Sequence, residues 1–286
     1  MSDFMSIVDQ TSTEIDPHYL AAWQEWRDEL EARRQDPYGF LAYSDIFKLG
    51  AEPQRFPGVP GEWSTSEDGP SVVLSNGETL TIGEDVVTTE YHFEPVRERE
   101  FRRAARAGDV AIELSKRGGQ DLLRPIDPQH ELRGRYVSTP AYEPRSEWIV
   151  DAEFVPFDPP RDISIDAAVD GIIHTHQAVG ELVFELEDKE QRLVVFSQNL
   201  AGDLTTPVEH GFTVLTDGTS GVTTYRASRR LAVTLPAGGG PLAIDFNRIS
   251  NLQCAYTPFS PCPLAPAQNR LTVAIEAGEK IPVFLD

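Results

Sequence analysis

The apolar positions change period once along the chain. Asp16-Pro17 reads as a helix start, with Asp as N-cap and Pro at the first helical position. Tyr19, Leu20, Trp23, Trp26 and Leu30 follow at helical spacing, while Glu25, Asp28, Glu29, Arg33 and Arg34 take the other face. Arg33 and Arg34 fall in the last turn, where cations complement the helix dipole, and Pro37 ends it. The spacing predicts one amphipathic helix packed by its aromatic face on its own domain. Residues 1–15 lack periodicity and are expected to form a flexible tail.

Beyond the helix, Pro53, Pro57, Pro60, Gly58 and Gly61 punctuate a loop around Trp63. From about residue 72 the period becomes two. Val72 to Ile82 reads as a hairpin around Asn76-Gly77, and Val86 to Phe93 as a further strand. Val110, Ile112 and Leu114 alternate with Ala111, Glu113 and Ser115, and Leu182, Phe184 and Leu186 with Glu181, Val183 and Glu185. Strands are also expected in 148–157, 163–167, 171–176, 193–196, 212–216, 223–235, 241–246 and 271–275. Short strands at near-regular spacing predict a mainly β fold: antiparallel sandwich or barrel-like sheets with one N-terminal amphipathic helix. Residues 16–286 are expected to form a single mainly-β domain, with a soft boundary near 135–147 around Pro140 and Pro144. The strands over 223–235 and 241–246 are expected to be antiparallel neighbours, because only a short connection separates them.

Charge narrows the partners. The 286 residues carry 25 Lys+Arg against 46 Asp+Glu, a net charge of −21, which disfavours a general nucleic-acid binder. Of the 25 basic residues, 21 are Arg. Arg97, Arg99, Arg102, Arg103 and Arg106 cluster, but Glu98, Glu100 and Asp109 are interleaved or adjacent, so a solvated turn competes with an anion grip. No apolar stretch approaches the roughly 20 residues that span a bilayer. The first 15 residues lack the pattern of a signal peptide, so a cytoplasmic location is expected. No oligomeric state is implied.

Candidate chemistry is sparse. His174 and His176 share one face of a strand, a geometry open to a metal or to plain hydrogen bonding; no third ligand at a set spacing supports a metal, and none is expected. Cys254 and Cys262 lie eight apart in a loop stiffened by Pro258, Pro261 and Pro263, and read as a thiol pair, a disulfide or a redox switch. The Walker, Gly-x-Gly-x-x-Gly, Gly-x-Ser-x-Gly and His-Glu-x-x-His patterns are missing from the sequence. The densest polar region is C-terminal. Asp217, Thr219, Tyr225, Arg229, Asp245, Asn247, Arg248, Glu276 and Glu279 sit at turns and strand ends, where β proteins place binding groups.

The same region carries a resemblance. Asp217-x-Thr219-x-Gly221-x-x-Thr224-Tyr225-x-x-x-Arg229, then Asp245-Phe246-Asn247-Arg248, Cys254-Ala255-Tyr256, Cys262-Pro263-Leu264, Asn269-Arg270-Leu271 and Glu276-Ala277-Gly278-Glu279 together resemble the bacterial and archaeal family called domain of unknown function 1684. The likeness extends upstream through Trp23-x-x-Trp26-Arg27 and the segment 55–63. It implies no activity and no cofactor. From the residues themselves, three functions stand open. The first is binding of a small polar or anionic ligand, with Arg229 and Arg248 as clamps and Asp245, Asn247, Tyr225 and Thr219 as orienting groups. The second is a hydrolase or metal-assisted enzyme using Asp217, Asp245, Glu276 or Glu279. The third is a structural or partner-binding protein, with its arginines neutralised by buried carboxylates.

Overall fold

The computed structural model describes residues 15–198 and 209–286. All but the last residue of the expected tail lies outside them. The helix runs Pro17–Gln35, and Asp16 caps it by accepting the His18 amide at 2.9 Å. Its buried side chain is Arg34, which the periodicity had placed on the polar face.

Two sheets follow the helix. One has six strands in the order Phe47–Lys48, Gln120–Ile126, Val110–Arg117, Phe101–Ala107, Leu80–Ile82, Asp85–Val87. The other has four, Gln54–Arg55, Glu62–Ser66, Gly69–Val73 and Glu90–His92. Trp63, Val72, Leu80, Ile112, Leu114 and Leu123 fill a common core. The Asn76-Gly77 hairpin is not formed as expected. The turn exists, with Gly77 at φ 88° and the Ser75 amide donating to Glu78 Oε2. It hands the chain from one sheet to the other, so the strands on either side never pair. The expected strand over 86–93 divides for the same reason, half of it pairing in each sheet.

The second half builds a seven-stranded antiparallel sheet in the order Gly240–Asp245, Ile149–Asp166, Ile173–Leu186, Lys189–Ser197, His210–Leu215, Arg229–Thr234, Ser250–Asn251. The strands around Arg229 and Asp245 are therefore not neighbours. They are sequential, but four strands lie between them. A flat sheet would separate them by about 24 Å at about 4.8 Å per strand. The connection is short and contains a turn in which the Gly239 amide donates to Pro236 O. The sheet must therefore curl to bring its ends within reach. Leu182, Leu193, Val195, Leu215, Leu231, Ile244 and Phe246 line the inside of the curl.

The segment 271–279 borders this interior, with alternate side chains facing in. Val273, Ile275 and Ala277 are buried and alternate with exposed residues, which is why the sequence reads there as a strand. It has no ladder over that stretch. A side chain takes its carbonyls instead, and that side chain belongs to the candidate site.

Candidate functional site

Arg229 is that side chain. It lies on a strand facing the sealed interior and has no exposure. Its Nη1 donates to Ala277 O at 2.6 Å and Glu279 O at 3.2 Å; its Nη2 donates to Ile275 O at 3.2 Å. Carbonyls two residues apart point to the same side of an extended chain, so one guanidinium replaces a missing strand partner. The remaining contact is an ion pair, Nη2 to Asp217 Oδ2 at 2.7 Å. Asp217 is fixed by a turn. Its Oδ1 accepts from Thr219 N at 2.8 Å and Thr219 Oγ1 at 2.6 Å, and Thr219 also meets Thr224 Oγ1. The terminal nitrogens of Arg229 and both oxygens of Asp217 are hydrogen-bonded, while Arg229 Nε is buried with no partner.

Glu279 ends the same segment, and its side chain has no exposure. Oε1 accepts from Arg27 Nη1 at 2.6 Å and Arg34 Nη2 at 2.7 Å; Oε2 accepts from Arg34 Nη2 at 2.9 Å and the Asn251 amide at 2.8 Å. Both arginines come from the N-terminal helix. Tyr19, Trp23, Arg27 and Arg34 share one helical face, and that face lies on the C-terminal polar region. Tyr19 OH donates to both oxygens of Asp245, at 2.9 and 2.8 Å. Trp23 Nε1 donates to Asn247 O at 3.0 Å. Arg248 forms an ion pair with Asp245 at 3.2 Å and lies over the rings of Tyr19 and Trp26. Asn247 accepts the Arg145 amide and donates to Arg145 O, both at 3.0 Å. The residues 246–248 form a turn of 3-10 helix, which supplies the bend that places Arg248 beside Asp245.

The nine residues singled out in the sequence thus fall into distinct places. Asp217, Thr219 and Arg229 form one sealed network, which the Glu279 carbonyl joins to the helix-bound Glu279 carboxylate. Asp245, Asn247 and Arg248 form a second patch under the helix. Tyr225 stands apart, its OH donating to Cys254 O at 2.8 Å, and Glu276 is exposed. The sequence reading missed Arg27 and Arg34 as partners of Glu279. The signal was present: Arg27 stands four residues after Trp23, on the aromatic face.

A cavity of about 260 Å³ adjoins this arrangement, lined by Arg34, Gln35, Leu41, Arg133 and Tyr136. The end of the helix contributes two of these residues, and the short helix Glu131–Arg135 contributes Arg133. Arg133 donates to the carbonyls of Pro128 and Gln35, and its Nε is buried with no hydrogen-bond partner. Tyr136 OH donates to Glu31 Oε2 at 2.7 Å, and Glu31 also pairs with Arg34. Neither Arg133 nor Tyr136 was a sequence candidate.

His174 and His176 are both buried, with ring centroids 5.5 Å apart. His174 Nε2 meets Pro261 O at 2.5 Å. His176 lies against Phe196 and Phe212, and neither ring nitrogen has a partner. Burial, with the charges of Arg99, His174 and Arg117, pushes its pKa down to about 3. The unfolded chain therefore binds a proton below about pH 6.5 that the folded chain refuses, so stability falls as pH drops through that window. From about pH 7 to about pH 5, His176 is expected to remove about 2 kcal/mol. Urea melts should show that loss reduced by this amount in His176→Gln; an unchanged loss refutes it. Among the described residues, no group of three or more His, Cys, Asp or Glu side chains is placed to hold a metal. The Arg97–Arg106 cluster is a strand and its approach, with Arg103 and Arg106 folded over Tyr38.

Antiparallel sheets carrying a buried arginine–carboxylate network under an N-terminal helix define a mainly β protein, and none of its described helices is long and apolar enough to cross a membrane. Residues 134–280 match DUF1684, described as a protein family of unknown function, and the chain belongs to that family. The match contains all nine C-terminal candidates. The solution NMR structure of an uncharacterized protein of Haloarcula marismortui is similar at 24% identity, over 50% of this chain and 76% of that one, with a TM-score of 0.41. A search of curated proteins found no match.

Proposed function

We propose that the protein binds a small anionic molecule in the cavity between Arg34 and Arg133. One observation carries this reading: two arginines, Arg34 and Arg133, line one cavity of a chain whose net charge is −21. Guanidinium groups suit a carboxylate or phosphate, whose oxygens accept charge-assisted hydrogen bonds from them. Arg34 and Tyr136, both held by Glu31, share the lining with the apolar Leu41. In this reading the C-terminal candidates act one step back. Glu279 holds Arg34 in place; Asp217, Thr219 and Arg229 hold the segment bearing Glu279; Asp245, Asn247 and Arg248 seat the helix. Tyr225 braces the cysteine loop, and Glu276 has no part. Two free thiols suit a reducing cytoplasm.

A structural role with no small-molecule site is the second reading, and the sealed Asp217–Arg229 pair favours it. Titration calorimetry with inorganic phosphate and short mono- and dicarboxylates separates the two. Binding that weakens with salt and vanishes in Arg133→Gln, with stability changed by less than about 1 kcal/mol, is expected. No heat from any probe, and no retained molecule in native mass spectra of protein taken from its host, leaves the structural reading.

A further inference from the structure

The loop 253–263 carries chemistry that the cavity does not use. Cys254 and Cys262 are both free; Cys254 is half-buried and Cys262 buried. The Cys254 amide donates to Cys262 Sγ at 3.3 Å, so the loop folds back until one cysteine's backbone touches the other's sulfur. The loop is pinned on every side. Tyr225 OH holds Cys254 O, Ser228 Oγ holds Pro263 O, Ser260 Oγ holds Gln253, and the Ala168 amide holds Cys262 O. Two cysteines whose backbone and sulfur already touch on a braced loop have little chain entropy left to lose on bonding.

We propose that Cys254 and Cys262 form a reversible thiol–disulfide couple whose oxidant is a hydroperoxide. The sulfur that attacks is Cys262. The Cys254 thiol beside it, the Cys254 amide that donates to it at 3.3 Å and the Arg124 charge favour its thiolate against burial. The Cys254 thiol is pushed up by donating to Cys262 and by its own burial, so it keeps its proton until the second step. In the first step the Cys262 thiolate attacks one peroxide oxygen. The O–O bond breaks, Cys262 becomes a sulfenic acid, and the departing hydroxide takes a proton to form water. In the second, Cys254 sulfur attacks the Cys262 sulfenic sulfur, the S–O bond breaks, and the hydroxide leaves with the Cys254 proton as water. Both electrons come from the thiol pair, and a dithiol returns them on reduction.

The test uses the full chain, reduced, exchanged into thiol-free buffer and exposed to stoichiometric hydrogen peroxide, then alkylated and weighed. The expected result is a monomer lighter by about 2 Da that resists alkylation at both cysteines and recovers with dithiothreitol. In Cys254→Ser the same treatment with dimedone should label Cys262. The folded wild type should oxidise faster than the same chain unfolded in urea. Oxidation slower in the folded chain, a disulfide between two chains, or a dimedone adduct that never forms on Cys262 would each overturn the proposal.

Discussion

Glu279→Gln is expected to destabilise the protein by about 3–5 kcal/mol, read as a shift in the urea midpoint at unchanged slope. The carboxylate has no exposure and faces Arg27 and Arg34, whose side chains are 12% and 4% exposed. Removing its charge leaves Arg34 with Glu31 and Arg27 with the carbonyl of Thr139. Two cations then face each other over a neutral amide. The same change should loosen the helix, because its polar grip centres on this group. Trp23 and Trp26 report that loosening as a red shift of emission before global unfolding. A midpoint moved by less than about 1 kcal/mol would show that Glu279 does not hold the helix.

Arg229→Met should cost a similar about 3–5 kcal/mol, for a different reason. It strands the Asp217 carboxylate and frees the carbonyls of Ile275, Ala277 and Glu279 inside the curl, where water cannot replace the lost donors. Amide exchange should accelerate first at Ile275 and Gly218, whose N–H groups are held by Asp217 and by Val273 of this segment. Arg248→Ala is the contrast. That guanidinium is 33% exposed and its pair with Asp245 is partly solvated, so the expected loss stays below about 1 kcal/mol. Equal losses for the two variants would contradict the sealed geometry around Arg229.

The helix was legible because Asp16, Pro17 and the aromatic spacing are all local signals. The antiparallel β character was legible because alternation needs only neighbouring residues. What failed was pairing. Asn76-Gly77 fixes a turn, but a turn does not decide whether the chain re-enters the same sheet. The short link before Gly240 suggested adjacency, and only the curl of seven strands makes the actual order possible. The pattern over 271–275 reads as a strand, yet no ladder forms there, because a side chain from another strand supplies the hydrogen bonds. Asp217, Arg229, Asp245 and Glu279 stood out as charges in a dense polar region. Their partners did not, since Tyr19 and Asp245 are 226 positions apart, and Arg27 and Glu279 are 252. Arg133 and Tyr136 carry no sequence pattern at all; a cavity wall drawn from two helices, a 3-10 turn and a strand exists only after folding.

Those separations also set a schedule for the nascent chain. The helix leaves the ribosome well before the groups that hold it are made. At about 5–20 residues per second, Tyr19 waits roughly ten to fifty seconds for Asp245, and Arg27 as long for Glu279. A 19-residue helix is only marginally stable alone in water. During that interval Tyr19, Trp23 and Trp26 are uncovered on every polysome, available to ribosome-associated chaperones, and the rest of the β fold must assemble without them.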